Sequence, residues 1–129
     1  MATATRSTDN LALARQAFDS FIEHDMDSFL SALHPDVEAH PSIDGAPRLH
    51  GRDEVARWWS QFAELDGDIE VRPLDFEPRG ACVIVRGYLR RREGRTLAES
   101  QVHWVYEFRD GLIVRMESHP TRQSALAAC

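Results

Sequence analysis

The sequence predicts an α+β fold in which a curved antiparallel sheet wraps around N-terminal helices to form a cone-shaped α+β barrel. Apolar residues recur at helical spacing up to about residue 65 and then alternate with a period of two. Short, glycine-bearing turns separate the later strands. Helices that are segregated from a sheet along the chain must pack on its apolar face, so we expect a half-open cone with a cavity inside.

Three helices are predicted before the sheet. The first has an apolar face of Leu11, Ala14, Phe18, Phe21 and Ile22. The second is capped by Asp27 and stops at His34-Pro35, because the residue before a proline disfavours the helical region. The third opens at residues 51–53 and ends at residues 66–68. Its apolar face comprises Val55, Trp58, Trp59, Phe62 and Leu65.

Five strands are expected. A short one over residues 36–40 precedes the third helix and runs into a loop over residues 41–47. The other four cover Ile69–Glu77, Cys82–Arg92, Ser100–Arg109 and Leu112–Ser118. Two- and three-residue turns join these four strands, so neighbours should pair antiparallel. Residues 123–128 predict a frayed helical turn.

Length and charge predict one domain without a nucleic-acid or membrane surface. The 129 residues and 43% hydrophobic content suit a single domain over residues 1–129, with residues 1–8 as a flexible N-terminal tail. The net charge of −6 disfavours nucleic acid and anionic membranes as partners. All fifteen cationic residues are arginine, which excludes Schiff-base lysine chemistry, pyridoxal phosphate anchoring and a P-loop lysine.

The cysteines and histidines predict neither a disulfide scaffold nor a metal centre. Cys82 lies in an apolar run and should be a small buried residue, whereas Cys129 ends the chain and should be mobile. His34, His40 and His50 lack metal-ligand spacing, and we expect no cofactor. Without an apolar signal core or a transmembrane stretch, the chain is expected to be cytoplasmic.

Three stretches of sequence carry a family resemblance: HDMDSFLSALHPDVEAHP, LHGRDEVARWW and YEFRDGLIVRM. In this order, from Asn10 to Ala127, the chain resembles the SnoaL-like proteins of the nuclear transport factor 2-like superfamily. The resemblance implies a curved sheet around a pocket and, commonly, a homodimer built on the outer face of the sheet. It does not specify an activity, because the superfamily includes isomerases, polyketide cyclases, epoxide hydrolases and transport adaptors.

His40 and Glu38 form the sharpest catalytic hypothesis. The resemblance to the ketosteroid isomerase branch places His40 where that family has its aspartate general base, and imidazole exchanges protons near neutral pH. Glu38 lies two residues earlier, and the alternation of side chains along a regular strand puts it on the same face. Such a pair would transfer a proton next to a carbonyl, as in isomerisation or polyketide cyclisation. The alternative is that Glu38 and His40 are simply polar residues at the solvated end of a strand, which gives the same pattern.

Two activities of the superfamily are disfavoured by the residues present. The resemblance places the oxyanion donors of the steroid isomerases near Ala17 or Phe18, neither of which can donate, and near Trp104. The indole of Trp104 can donate one N–H, but it fills the space that a ligand would use. The acidic pair that flanks an arginine in the epoxide hydrolases has no convincing counterpart, and the only asparagine, Asn10, starts the first helix.

Strand alternation assigns the lining of the cone. Trp104 and Tyr106 should face inward and His103 and Glu107 outward, while the resemblance places Trp59 at a pocket position. The predicted lining comprises Phe18, Phe29, Trp59, Phe62, Val85, Trp104, Tyr106 and Met116. These side chains suit a small apolar or aromatic ligand. The alternative is a non-catalytic carrier, or a protein-interaction module whose cone is filled by its own side chains. The basic hairpin tip Arg90–Arg95 is either a solvated turn or an anion-steering rim.

Overall fold

The computed structural model has one curved sheet with helices against it. It describes the backbone of residues 2–40, 48–65 and 69–129, and the side chains of these except residues 2–8, 62–65, 69 and 93. The elements are α1 (Ala2–Ile22), α2 (Met26–Ser31), β1 (Leu33–His40), β2 (Leu49–His50), α3 (Arg52–Leu65), β3 (Ile69–Arg79), β4 (Cys82–Glu93), β5 (Thr96–Arg109), β6 (Leu112–His119) and α4 (Arg122–Ala128). The predicted α+β class is confirmed.

The sheet has six strands in the order β2-β1-β6-β5-β4-β3. Strands β3 to β6 form the predicted antiparallel meander. Between β5 and β6 the chain turns at Asp110 and Gly111, both with positive φ, which is the backbone that a tight two-residue hairpin requires. Strand β1 pairs in parallel with β6, so the sheet is mixed rather than purely antiparallel. The sequence also missed β2, which is only two residues long.

The boundaries before the sheet differ from the sequence predictions in three places: the cap of α2, the start of α1, and β1, which begins at Leu33 rather than at residue 36. Asp25, not Asp27, caps α2, since its carboxylate accepts the backbone N–H of Ser28. Helix α1 includes residues 2–8, for which the sequence predicts a flexible tail; the mobility of that segment stays a prediction. The predicted loop over 41–47 and the predicted end of α3 at 66–68 lie outside the described residues.

The main core lies between the helices and the inner face of the sheet. Side chains that point inward from adjacent strands, such as Val83, Val85 and Ile113, are fully buried. They pack with Phe18 from α1 and Trp59 from α3 in one cluster. Because alternate residues of a strand point to opposite faces, this packing fixes which side of every strand faces the cone.

The opposite, outer face of the sheet is covered in part by α4. Ala125 of this helix packs on Ile84 and Val105 in a second, smaller apolar cluster. Cys82 and Cys129 are joined by a disulfide with a Cα–Cα distance of 6.0 Å. The expectation that the cysteines are unpaired and that Cys129 is mobile is therefore wrong. Spacing along the chain did not reveal the pair because its members are 47 residues apart and meet only after α4 folds back.

Candidate functional site

An apolar cavity lies between the helices and the inner face of the sheet, where α3 packs against β1 and β2. Its volume is about 110 Å³. Its described lining is Phe18, Phe21, Phe29, Ala39, His40, Leu49, Val55, Trp58, Trp59, Val71, Leu89, Trp104, Tyr106, Met116, Glu117 and Ser118. Since His40 is exposed and also lines the cavity, the space reaches solvent beside that side chain.

Two groups of packed aromatic rings line the cavity. On the sheet side, the ring of Phe18 stacks on Tyr106 with centroids 5.2 Å apart and meets Trp104 edge-on, also at 5.2 Å. On the helix side, Trp59 stacks on Phe21 at 5.3 Å and meets Phe29 edge-on at 5.1 Å. Both arrangements are preferred geometries for aromatic pairs, so the walls are well packed.

A few polar atoms interrupt this apolar lining. Buried tyrosine hydroxyls and tryptophan N–H groups usually find a hydrogen-bond partner. Among the described residues, however, the hydroxyl of Tyr106 and the indole N–H of Trp104 have none. Ser118 lies opposite Trp104 in the register and also lines the cavity. Burial raises the pKa of the Tyr106 hydroxyl, which therefore stays protonated and can donate a hydrogen bond to a guest.

His40 and Glu38 are exposed on the same face of β1, as strand alternation predicts. Of the two, only His40 borders the cavity, and both border a shallow surface hollow together with Arg48 and Arg115. In the register, His40 lies beside Glu117 and Glu38 beside Arg115. The structure thus brings one member of the hypothetical pair to the cavity, and the catalytic role of both stays a prediction.

Six of the eight predicted lining residues border the cavity: Phe18, Phe29, Trp59, Trp104, Tyr106 and Met116. Val85 does not border it and is fully buried in the core. The side chain of Phe62 lies outside the described residues. Whether any of these residues binds a ligand stays a prediction.

On the outer face the polar groups pair with one another. Arg115 donates to Glu107 at 2.6 Å, to Glu117 at 2.7 Å and to the carbonyl oxygen of Ala128. Burial alone would raise the pKa of Glu117, but the hydrogen bond from Arg115 and the contact with His119 give a net lowering. Met116 on the same strand lines the cavity, and Glu117 borders it as well.

His103 is the exception on that face, because its Nδ1 atom is buried without a hydrogen-bond partner among the described residues. Its side chain points outward, as alternation predicts, and lies beside Arg86 and His119 in the register. Burial lowers the pKa of His103, and the nearby positive charges of Arg86 and Arg122 lower it further. His119 lies on this face too, where it contacts the hydroxyl of Ser124 at 2.6 Å.

Neither a metal centre nor a membrane span is present in the described part of the chain. No group of three or more His, Cys, Asp and Glu side chains there is arranged to hold a metal ion. None of the described helices is long and apolar enough to cross a bilayer.

Comparison with known proteins decides the family. The model of the SnoaL-like domain matches residues 14–116, which is most of the chain. The chain belongs to the SnoaL-like family. This SnoaL-like domain matches no curated protein by sequence.

Solved structures resemble this SnoaL-like domain over nearly its whole length. TerC, crystallised with polyporic acid, is 23% identical with a TM-score of 0.75, and the match covers 92% of this chain and 96% of TerC. A candidate polyketide cyclase from Sinorhizobium meliloti is 23% identical, with a TM-score of 0.72 and coverage of 88% and 98%. A candidate ketosteroid isomerase from Kribbella flavida is 22% identical, with a TM-score of 0.71 and coverage of 86% and 76%. At these identities the likeness shows a shared fold.

Sequence reasoning missed several lining residues of this SnoaL-like domain. Trp58 borders the cavity together with Trp59, although adjacent helical residues point about 100° apart. The large rings of both residues reach the same space. Val71 and Leu89 face each other across β3 and β4 and also line the cavity. The period-two alternation of apolar residues along β3 and β4 could have predicted that Val71 and Leu89 point inward. No such pattern exists for Leu49, because β2 is only two residues long.

Proposed function

We propose that this SnoaL-like domain binds a small, largely apolar molecule that carries one hydrogen-bond acceptor, such as a carbonyl oxygen. The observation that carries the proposal is the unpartnered hydroxyl of Tyr106 in an otherwise apolar cavity. A guest with an acceptor would satisfy this donor, and the indole N–H of Trp104 provides a second one. Apolar walls with few placed polar groups are typical of small-molecule sites.

The volume of the cavity limits the size of the guest. An apolar cavity of roughly 150 Å³ takes up benzene, whereas typical drug-sized sites have about 300 Å³ or more. At about 110 Å³, this cavity suits a molecule of about one ring. A multi-ring guest would need Trp58 or Phe21 to move.

A thermal-shift series with matched ligands tests the binding proposal. Cyclohexanone and 2-cyclohexenone present a ring with a carbonyl, and methylenecyclohexane has the same shape without the acceptor. We expect the ketones to raise Tm more than the hydrocarbon, because only they accept from Tyr106. In Tyr106→Phe this difference should shrink, whereas in Tyr88→Phe, on the outer face, it should persist. Equal shifts for ketone and hydrocarbon would contradict the acceptor requirement, and no shift with any ring compound would favour the cone filled by its own side chains.

A second role, proton transfer next to the bound carbonyl, is favoured by the position of His40 at the cavity. In this role the imidazole takes a proton from the carbon beside the carbonyl. The electron pair of the broken C–H bond moves into an enolate, whose oxygen accepts from Tyr106. Neutral donors placed at a developing oxyanion stabilise it in a site that excludes water. Glu38, on the same strand face, would attract the positive charge that His40 gains with the proton, from outside the cavity.

Hydrogen–deuterium exchange of cyclohexanone, followed by NMR, tests the catalytic role. The wild type should accelerate exchange of the protons next to the carbonyl above the buffer rate, and His40→Ala should reduce the excess rate by about a hundredfold or more. His50→Ala, an exposed histidine of β2, is the matched control. If the ketone binds but exchange stays at the buffer rate, the protein is a carrier rather than an enzyme.

We also propose that two copies associate through the part of the outer face that α4 leaves open. Tyr88 there is flanked by Arg72 and Arg90, which alternate with Glu70 and Glu99 around a hollow of about 180 Å³. A patch with both charge signs can pair with its own copy across a two-fold axis, which supports a homodimer. Sedimentation at micromolar concentration should give the dimer mass, and a monomer would contradict this proposal.

A cytoplasmic location for this function stays our proposal from the sequence. In that compartment thiol systems reduce exposed disulfides, so the Cys82–Cys129 bond would be transient rather than permanent there. Alkylation of thiols in rapidly quenched cells, followed by mass spectrometry of the two cysteines, measures which state is present.

A further inference from the structure

Helix α4 is a seven-residue segment whose position depends on contacts with other elements. A helix this short is not stable by itself in water. Of its residues only Ala125 is buried, and it packs on Ile84 and Val105, while Leu126 and Ala128 are partly buried against the same cluster. The apolar surface that holds α4 on the sheet is therefore small.

The polar contacts of α4 are few, and some are exposed. Arg122 pairs with Glu77 at 3.0 Å, but both side chains are more than one third exposed. Exposed ion pairs of this kind contribute little to stability. Two better-shielded contacts remain: the bond from Arg115 to the carbonyl oxygen of Ala128, and the contact between His119 and Ser124.

The disulfide is the one covalent anchor of this helix among the described residues. It joins Cys129, directly after α4, to Cys82 at the first residue of β4. Cys82 is buried, whereas Cys129 is exposed, so an external thiol can approach the bond from the Cys129 side. Exposed disulfides are the labile and regulatory kind.

We propose that the Cys82–Cys129 disulfide is a redox latch, whose reduction by a dithiol releases α4 from the outer face of the sheet. One thiolate of the reductant attacks Sγ of Cys129, which breaks the S–S bond and expels the sulfur of Cys82 as a thiolate that takes up a proton. The second thiol of the reductant then attacks the mixed disulfide and releases the thiol of Cys129. The reductant is oxidised to its disulfide, and the protein gains two electrons and two protons.

Release of α4 would uncover a defined patch of the sheet. Ile84 and Val105 lie under the helix and are now almost fully buried. The cavity lies on the other face of the same strands, so the latch acts on the outer surface and is independent of the proposed ligand.

Hydrogen–deuterium exchange with mass spectrometry tests the latch on the full chain. Without reductant, the amides of residues 122–128 should exchange slowly. With dithiothreitol their exchange should become about tenfold faster or more, while the amides of β5 stay protected. Cys129→Ser should show the fast exchange under both conditions. Ser124→Ala, which keeps the disulfide but removes the hydroxyl partner of His119, should still respond to dithiothreitol.

Three results would overturn the proposal. The first is unchanged protection of α4 after complete reduction, because the non-covalent contacts would then suffice. The second is reduction that occurs only together with exchange of the β5 amides, which would make the bond a structural staple that opens on global unfolding. The third is alkylation of both cysteines in the folded protein without reductant, which would show that the bond does not form. Oxidised glutathione should restore slow exchange in the reduced wild type but not in Cys129→Ser.

Discussion

The two faces of the sheet share one backbone but differ in the hydrogen-bond partners of their polar side chains. On the inner face, Trp104 and Tyr106 are buried among aromatic rings and their polar atoms have no partner in the described part of the chain. On the outer face, Arg115 has three hydrogen-bond partners. The inner face therefore has unpaired donors at Trp104 and Tyr106, whereas the outer face pairs its charges and holds α4, with the buried Nδ1 atom of His103 as the exception.

The largest expected effect compares aromatic truncations on the two faces. Phe18 is 3% exposed and contacts Trp104, Tyr106 and Phe76. Phe18→Ala should lower the free energy of unfolding by about 4 kcal/mol, because it removes a buried ring and leaves a void. Tyr88→Ala on the outer face should cost about 1 kcal/mol or less. Urea denaturation followed by circular dichroism measures both. Similar losses would show that the outer face is part of the core.

A glycine in β4 provides the next test of how tightly the inner face is packed. A Cβ added at Gly87 would lie 2.8 Å from the ring of Trp104 and closer still to the backbone oxygen of Arg72. Gly87→Ala should therefore lower stability by about 3 kcal/mol. Gly80→Ala is the control: its φ is +58° but nothing lies within 4 Å, so only backbone strain of about 1 kcal/mol is expected. A Tm for Gly87→Ala at or above that of Gly80→Ala would contradict the close packing.

When polar groups are removed, the loss of stability should be larger on the outer face than on the inner face, which is the reverse of the order for aromatic truncations. Arg115→Leu takes away the partner of Glu107, of Glu117 and of a backbone carbonyl, and should cost about 2 kcal/mol. Tyr106→Phe removes a hydroxyl without a partner in the described structure and should change stability by about 0.5 kcal/mol or less. Chemical denaturation of both variants without ligand checks this. A loss of more than about 1 kcal/mol for Tyr106→Phe would mean that the hydroxyl already has a partner.

The smallest expected effect is a pH dependence of the free energy of unfolding, which arises from His103 on the outer face. Burial lowers the pKa of His103, so below pH 6.5 the unfolded chain takes up a proton that the folded protein resists. The free energy of unfolding should therefore fall as the pH drops from 7 to 5. His103→Gln should flatten that slope in thermal melts, and His50→Gln, an exposed control, should keep it. An identical slope in wild type and His103→Gln would show that His103 stays solvated.

Local patterns in the sequence predicted six of the sixteen described residues that line the cavity. Period two in β5 assigned Trp104 and Tyr106 to the inner face and His103 to the outer face, and the structure agrees. This works because the direction of a side chain on a strand depends only on its place in the alternation. The same reasoning placed Val85 inward correctly but could not tell that it is fully covered, because burial depends on which other elements pack over it.

The helices, the strands other than β2 and the inward-facing side of the meander strands could all be predicted from the sequence. These follow from periodicity and from turns of two or three residues, which act over a few positions. Three features could not be predicted from the sequence: the parallel pairing of β1 with β6, the cavity volume of about 110 Å³, and the attachment of α4 to the outer face through Cys82 and Cys129. Each of these depends on contacts between residues far apart in the chain, which become specific only when the elements pack and exclude water from one another.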